Sequence, residues 1–219
     1  MSIKERLEQI KSGLPEGVSL VAVSKFHPAE HIQEAYDAGQ RIFGESRPQE
    51  MAAKYEALPK DIVWTMIGHL QTNKVKLIAP FVSLIASVDS DRLTAEIQKQ
   101  AERLDRTIDI LLEVHVADEE TKSGWDIGEL RQYLRSGALN AMPNVRVRGL
   151  MTIATNTDDE SIIRRDFETI KSLYDELKPS FGEAFDTLSS GMSDDYPIAL
   201  EDGSTMGRIG TAIFGARTY

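Results

Sequence analysis

Val18-Ser19-Leu20-Val21-Ala22-Val23-Ser24-Lys25-Phe26 decides how the rest of the chain is read. Five of the first six residues are apolar and three are valine. Pro15-Glu16-Gly17 precede the run and Pro28 follows it, so the pattern is that of a buried parallel strand. Lys25 falls at its carboxyl end. Apolar surroundings disfavour a charged amine, and a lysine that is neutral part of the time can attack a carbonyl. A lysine at a strand end can equally carry its amine out to water. The other segments decide between the two.

Working outward, Ser2 and Glu5 have capping-box spacing, and Ile3, Leu7 and Ile10 share one helical face. This predicts a helix before the strand. After the strand, Pro28 suits a first helical turn, followed by Ile32, Ala35 and Tyr36. Further strands are expected at 41–43, 62–67, 84–88, 108–116 (the longest), 145–151, 184–188 and 205–209. Helical patterns follow most of them, with Thr157 and Glu160 forming a second capping box. About eight strands alternating with helices imply a parallel sheet. In 219 residues the expected fold is α/β, a single (β/α)8 TIM-type barrel with an extra N-terminal helix. An open doubly wound sheet is the alternative. No linker or composition shift divides the chain, so residues 1–219 are expected to form one domain.

Composition narrows the chemistry. Hydrophobic residues make up 41% and charged residues 27%, ordinary for a globular protein. Without cysteine there is no disulfide, thiolate catalysis or cysteine metal site. Lys and Arg number 25 against 35 Asp and Glu, a net charge of −10 that opposes nucleic-acid and anionic-membrane binding. No run approaches the ~20 apolar residues of a membrane span, and the N-terminus lacks a signal-peptide core. A cytoplasmic protein is expected. The Rossmann and P-loop signatures are absent. His27-Pro28-Ala29-Glu30-His31 matches H-x-x-E-H, but Pro28 at the first helical position leaves His27 outside the helix, so no metal site is expected. Arg146 and Arg148 alone make no nucleic-acid patch.

The working face of a barrel lies at the carboxyl ends of its strands. Polar clusters gather there: Lys25; Glu45, Ser46 and Arg47; His69, Gln71 and Asn73; Asp89; Thr121, Lys122 and Ser123; Met151 and Thr152; Ser189, Ser190 and Ser193; Arg208, Gly210 and Thr211. Loops are polar in any protein, so no single residue carries the argument; the joint pattern does. The segments 188–193 and 206–215 are rich in glycine and hydroxyl residues and follow strands seven and eight, where barrels commonly cradle phosphate. Paired with Lys25, they point to a phosphorylated aldehyde held covalently at one end and electrostatically at the other. Lys122 is a candidate second acceptor on the same face.

At these residues the chain resembles the pyridoxal phosphate (PLP) homeostasis proteins, the YggS/PROSC family, over essentially its whole length. The resemblance rests on Ala22-Val23-Ser24-Lys25, Phe43-Gly44-Glu45, Ile67 to Lys74, Lys122-Ser123-Gly124, Arg148 to Met151, Leu188-Ser189 with Gly191-Met192-Ser193, and Arg208 to Gly215. It implies a barrel like the N-terminal domain of alanine racemase, with PLP held as a Schiff base on Lys25. It also implies phosphate contacts from Ser189, Ser190 and the backbone of Gly210 and Thr211, Arg208 near the pyridine nitrogen, and Ser46 and Met151 beside the ring. The family usually has asparagine at Ser46 and methionine at Ser190, so two contacts differ here. The implied role is buffering or delivery of PLP, possible recipients being apo-forms of PLP enzymes, by a monomer without robust catalysis. The alternative is a PLP-dependent amino-acid racemase. Racemases of this fold use a second acid/base from an extra β domain and a partner subunit, and only five residues follow Phe214.

Overall fold

The structure, a computed structural model, describes residues 1–119 and 123–216. Eight parallel strands run in chain order around a closed barrel. They are β1 Ser19–Val23, β2 Ile42–Glu45, β3 Val63–Met66, β4 Leu84–Val88, β5 Ile108–Glu113, β6 Val145–Met151, β7 Thr187–Ser189 and β8 Met206–Ile209. Helices lie outside: α1 Ile3–Gly13, α2 Ala29–Asp37, α3 Pro48–Ala57, α4 Val75–Ile78, α5 Asp91–Arg103, α6 Ile127–Arg135, α7 Glu160–Phe181, α8 Tyr196–Glu201 and α9 Thr211–Phe214. The expected barrel with an extra first helix is the architecture found. Among the described residues no helix is long and apolar enough to cross a membrane.

The strands read as they do because their side chains alternate between two apolar shells. Val21, Leu84, Ala86, Leu111, Met151 and Met206 fill the barrel interior. Leu20, Ala22, Phe43, Trp64 and Ile110 face the helices. The predicted capping box opens α1: Ser2 Oγ accepts from Glu5 N and the Glu5 carboxylate accepts from Ser2 N. α1 packs beside α2 and α9, and Arg6 Nε donates to Ile213 O at 2.6 Å. The ring closes where β1 pairs with β8, in the register Ser19↔Met206 to Ala22↔Ile209.

Several local expectations are corrected. β1 ends at Val23, so Lys25 lies in the turn beyond it. β5 stops at Glu113; the chain then turns, and Val114 makes an isolated bridge to Trp125, leaving β6 the longest strand at seven residues. Pro28 is the N-cap of α2, one place before the helix. Asp159, not Thr157, caps α7, accepting from Ser161 N; the Thr157 hydroxyl accepts from Asp159 N instead. Asp159 stands immediately before the first helical residue, where its carboxylate reaches a free N–H of the first turn. α4 and α6 stand where the strand reading passes over a helix; α4 is only four residues, too short for a periodic signal.

At the amino end of the barrel, Arg146 and Arg148 are both committed to acidic partners. Arg146 Nε donates to Asp109 at 2.6 Å, and Arg148 bridges Asp109 at 2.8 Å and Asp186 at 2.6 Å. The register shift between Ile110 and Leu111 on β5, opposite Val147 and Gly149 on β6, is a bulge of the type that concentrates at barrel rims.

Candidate functional site

Lys25 is half-buried in a turn whose backbone is held from below. Phe26 adopts a φ of 65°, a left-handed conformation that costs a side-chain-bearing residue about 1 kcal/mol or more. Its N–H donates to Glu50 Oε1 at 2.7 Å. The His27 N–H donates back to Ser24 O at 3.1 Å. Under the turn, the Ser24 hydroxyl donates to Glu45 Oε1 at 2.6 Å. Lys54, from the buried face of α3, donates to Ser24 O at 2.8 Å and to Glu45 Oε1 and Glu50 Oε1 at 2.7 Å each. Glu45 is fully buried and Lys54 nearly so. Burial pushes the Glu45 carboxyl up to about 6, against the pull of Lys54 and Ser24. The sequence reading placed Glu45 at this end but missed Glu50 and Lys54. A signal existed: Lys54 follows Met51 by three on the buried face of α3, and a buried lysine demands an acid.

A second network spans β6 to β8. Arg208 is buried, and desolvation brings its guanidinium down to about 10, still charged at neutral pH. Its Nη1 donates to Ser189 O at 3.0 Å and Ser189 Oγ at 2.7 Å, and its Nη2 donates to Thr152 O at 2.7 Å. Those three bonds leave Nε–H and one Nη2 hydrogen for other partners. Glu113 ends β5, and its Oε1 accepts from Ser123 Oγ at 2.8 Å. Glu113 Oε2 is buried with no hydrogen-bond partner among the described residues, and burial raises this carboxyl while the Arg208 charge opposes the rise. Met151, also buried, belongs to the interior shell.

The loops after β7 and β8 are built around small residues. Ser190 is buried, and its N–H donates to Ser204 Oγ at 3.3 Å. Gly191 has φ +84°, and a Cβ there would lie 2.7 Å from Ala199 Cβ. The Arg208 N–H donates to Gly191 O, tying the two loops together. Gly210 N donates to Ser193 Oγ at 3.2 Å. A Cβ at Gly210 would meet Val23 O at 3.1 Å, so this loop lies directly against the end of β1. Thr211 is exposed at the start of α9.

The structure thus brings Lys25, Arg208, Ser189, Ser190, Gly210, Thr211, Met151 and Ser46 to one end of the barrel. Ser46 follows β2, half-buried, with Gly68 packed so closely that a Cβ on it would lie 2.6 Å from Ser46 Cβ. His69 pairs with Asp89 at 2.9 Å on the exposed rim. Thr121 and Lys122 lie outside the described residues. His27, preceding α2, has its ring 5.7 Å from that of His31 and 5.0 Å from that of Phe214. Among the described residues no group of three or more His, Cys, Asp or Glu is placed to hold a metal ion. An amine, a guanidinium, hydroxyls and a glycine cradle are the donor set for an anion that also carries an electrophilic carbon.

This barrel and site define a class. The family model described as alanine racemase, N-terminal domain, matches residues 1–218. A relative from Aquifex aeolicus (strain VF5), named pyridoxal phosphate homeostasis protein, is 43% identical over 201 residues, covering 91% of this chain and 87% of its own. The structure of PipY from Synechococcus elongatus PCC7942 with PLP bound has a TM-score of 0.89 at 38% identity, covering 98% of this chain and 100% of that one. Alanine racemase from E. faecalis shares the fold at TM-score 0.76 and 18% identity, over 98% of this chain and 57% of that one. Within this class, the chain belongs to the pyridoxal phosphate homeostasis protein family.

Proposed function

We propose that this chain binds pyridoxal 5′-phosphate at the carboxyl end of its barrel and takes part in intracellular PLP homeostasis, holding the cofactor for buffering or delivery. PLP supplies, when bound, an electrophilic aldehyde on an aromatic ring and a dianionic phosphate. Lys25 Nζ is the group that bonds the aldehyde carbon. Ser189, Ser190 and the backbone of Gly210 and Thr211 hold the phosphate. Ser46 and Met151 border the ring, and the uncommitted hydrogens of Arg208 serve its nitrogen. The observation that carries this reading is the β1–β8 seam. Its register, Ala22↔Ile209, sets the Lys25 turn and the Gly210 loop side by side on neighbouring strands. A lone lysine or a lone glycine loop would carry far less.

The reading is of a carrier, not a catalyst. Arg208 can donate hydrogen bonds but gives up no proton, so a ring nitrogen facing it stays unprotonated and the ring is a weak electron sink. The name borne by the relatives agrees with this. The reading includes apo-forms of PLP enzymes as recipients, a monomer, a cytoplasmic location, and residues 1–219 acting as one binding unit.

The test is a visible absorption spectrum of the purified protein with added PLP, followed by borohydride reduction and peptide mass spectrometry. Reduction should abolish the long-wavelength band and leave a stable adduct on Lys25. An adduct scattered over surface lysines would overturn the reading.

A further inference from the structure

The backbone groups immediately before and after Lys25 are gripped by one buried ionic cluster. Ser24 O, on one side, accepts from Lys54 Nζ at 2.8 Å. Phe26 N–H, on the other, donates to Glu50 Oε1 at 2.7 Å, and that same oxygen accepts from Lys54. Glu45 completes the cluster by holding both Lys54 Nζ and the Ser24 hydroxyl. Lys54 and Glu45 are 7% and 0% exposed, so both have been taken out of water.

Burying such a cluster is a poor way to gain stability. Desolvating the charges costs about as much as their attraction returns, and apolar residues of similar volume often serve as well. Stability alone therefore does not account for it. Its geometry does: the contacts go to the two peptide groups that set the direction of residue 25. They also hold Phe26 at φ 65°, a conformation its own side chain disfavours. Arg47 adds a further restraint, its guanidinium 4.6 Å from the Phe26 ring centroid.

We propose that Lys54 and Glu50 are positioning residues, which clamp the 24–26 turn so that the Lys25 amine is aimed at the Gly210 loop before any ligand arrives. The proposal rests on the reading of Lys25 as the PLP-bonding residue. The clamp acts on bonding at Lys25 and leaves the phosphate loops, on β7 and β8, untouched. Pre-aiming matters because an amine already held in line reacts without first losing the freedom of its turn.

The experiment compares wild type, Lys54→Met and Glu50→Ala, each confirmed as folded by circular dichroism. Three quantities are read: the rate of covalent capture of PLP, the affinity for pyridoxine 5′-phosphate, which has the phosphate but no aldehyde, and amide hydrogen exchange at Phe26 in the ligand-free protein. In both variants capture should slow by about tenfold or more, as expected for losing a hydrogen bond to a charged group. Pyridoxine 5′-phosphate affinity should stay within about twofold, since the side-chain bonds of Lys54 and Glu50 go to Ser24, Phe26 and Glu45 and not to the β7 and β8 loops. Phe26 amide exchange should accelerate in Glu50→Ala while the barrel strands remain protected. If Lys54→Met does not fold, Glu50→Ala decides, because Glu50 is only half-buried and its truncation leaves Lys54 paired with Glu45. Capture at the wild-type rate, or equal loss of PLP capture and pyridoxine 5′-phosphate binding, would overturn the clamp. A wild-type protein that takes no adduct at Lys25 would instead overturn the PLP-bonding reading, and the clamp with it.

Discussion

Arg208 Nη1 stands 2.7 Å from Ser189 Oγ across the seam between β7 and β8, with both side chains buried. The serine hydroxyl accepts from the guanidinium and gives its own proton to Met206 O over a long 3.4 Å. That weak bond leaves the O–H able to turn towards an anion, with the arginine charge behind it. One residue thus connects the loop proposed to hold the phosphate to the side chain proposed to face the ring nitrogen.

Ser189→Ala is therefore expected to weaken PLP binding more than pyridoxal binding, because only PLP carries the dianion. Losing one charge-assisted hydrogen bond costs about 1.5–3 kcal/mol. Fluorescence or calorimetric titration of both ligands measures the difference. Equal losses would show that the hydroxyl serves Arg208 alone.

Glu45 makes stability depend on pH in a stated direction. Burial lifts its carboxyl from the usual 4.5 to about 6, so the folded protein holds this proton more tightly than the unfolded chain does. The contribution is complete below about 4.5 and is lost as pH rises through about 6. It amounts to about 2 kcal/mol. Denaturant unfolding of wild type and Glu45→Gln across this range should show the wild type losing that much relative to the variant as pH rises. A constant difference between the two would contradict a raised carboxyl.

Gly149 cannot carry a side chain. Its φ is +153°, and a Cβ would lie 1.6 Å from Thr187 O, a backbone atom of its registered partner on β7. Gly149→Ala must push β6 and β7 apart. A loss of about 3 kcal/mol or more is expected in thermal or denaturant unfolding. A loss below about 1 kcal/mol would mean that the seam yields easily.

The PLP-loaded protein is expected not to racemise alanine above a Lys25→Ala control. Racemisation needs acid/base groups on both faces of the α-carbon, and Lys25 supplies one. Arg208, charged and able only to donate, would leave the ring a weak electron sink. Deuterium entry at Cα in heavy water measures this. Turnover of about 1 s⁻¹, the low end for ordinary enzymes, would favour a racemase instead.

Much of this protein was legible in the chain itself. Strands buried on both faces read as continuous apolar runs, and helices between them show a 3.6-residue period, so the barrel and its helical coat follow from local pattern. The Ser2–Glu5 cap was equally local. The carboxyl ends of the strands then collected Lys25, Arg208 and the Ser189 and Gly210 loops with no knowledge of distances. What lay outside that reach were partnerships between distant segments. The bond from Ser189 to Arg208 across β7 and β8, the bulge between β5 and β6, and the grip of Lys54 and Glu50 on the Lys25 turn beside β2 each depend on which strands become neighbours in the closed barrel. The spacing of Lys54 after Met51 marks a buried lysine that needs an acid, but not that the acid is Glu45, nine residues away at the end of β2. Burial decides that, because only in the packed interior does an unpaired charge cost enough to force the pairing.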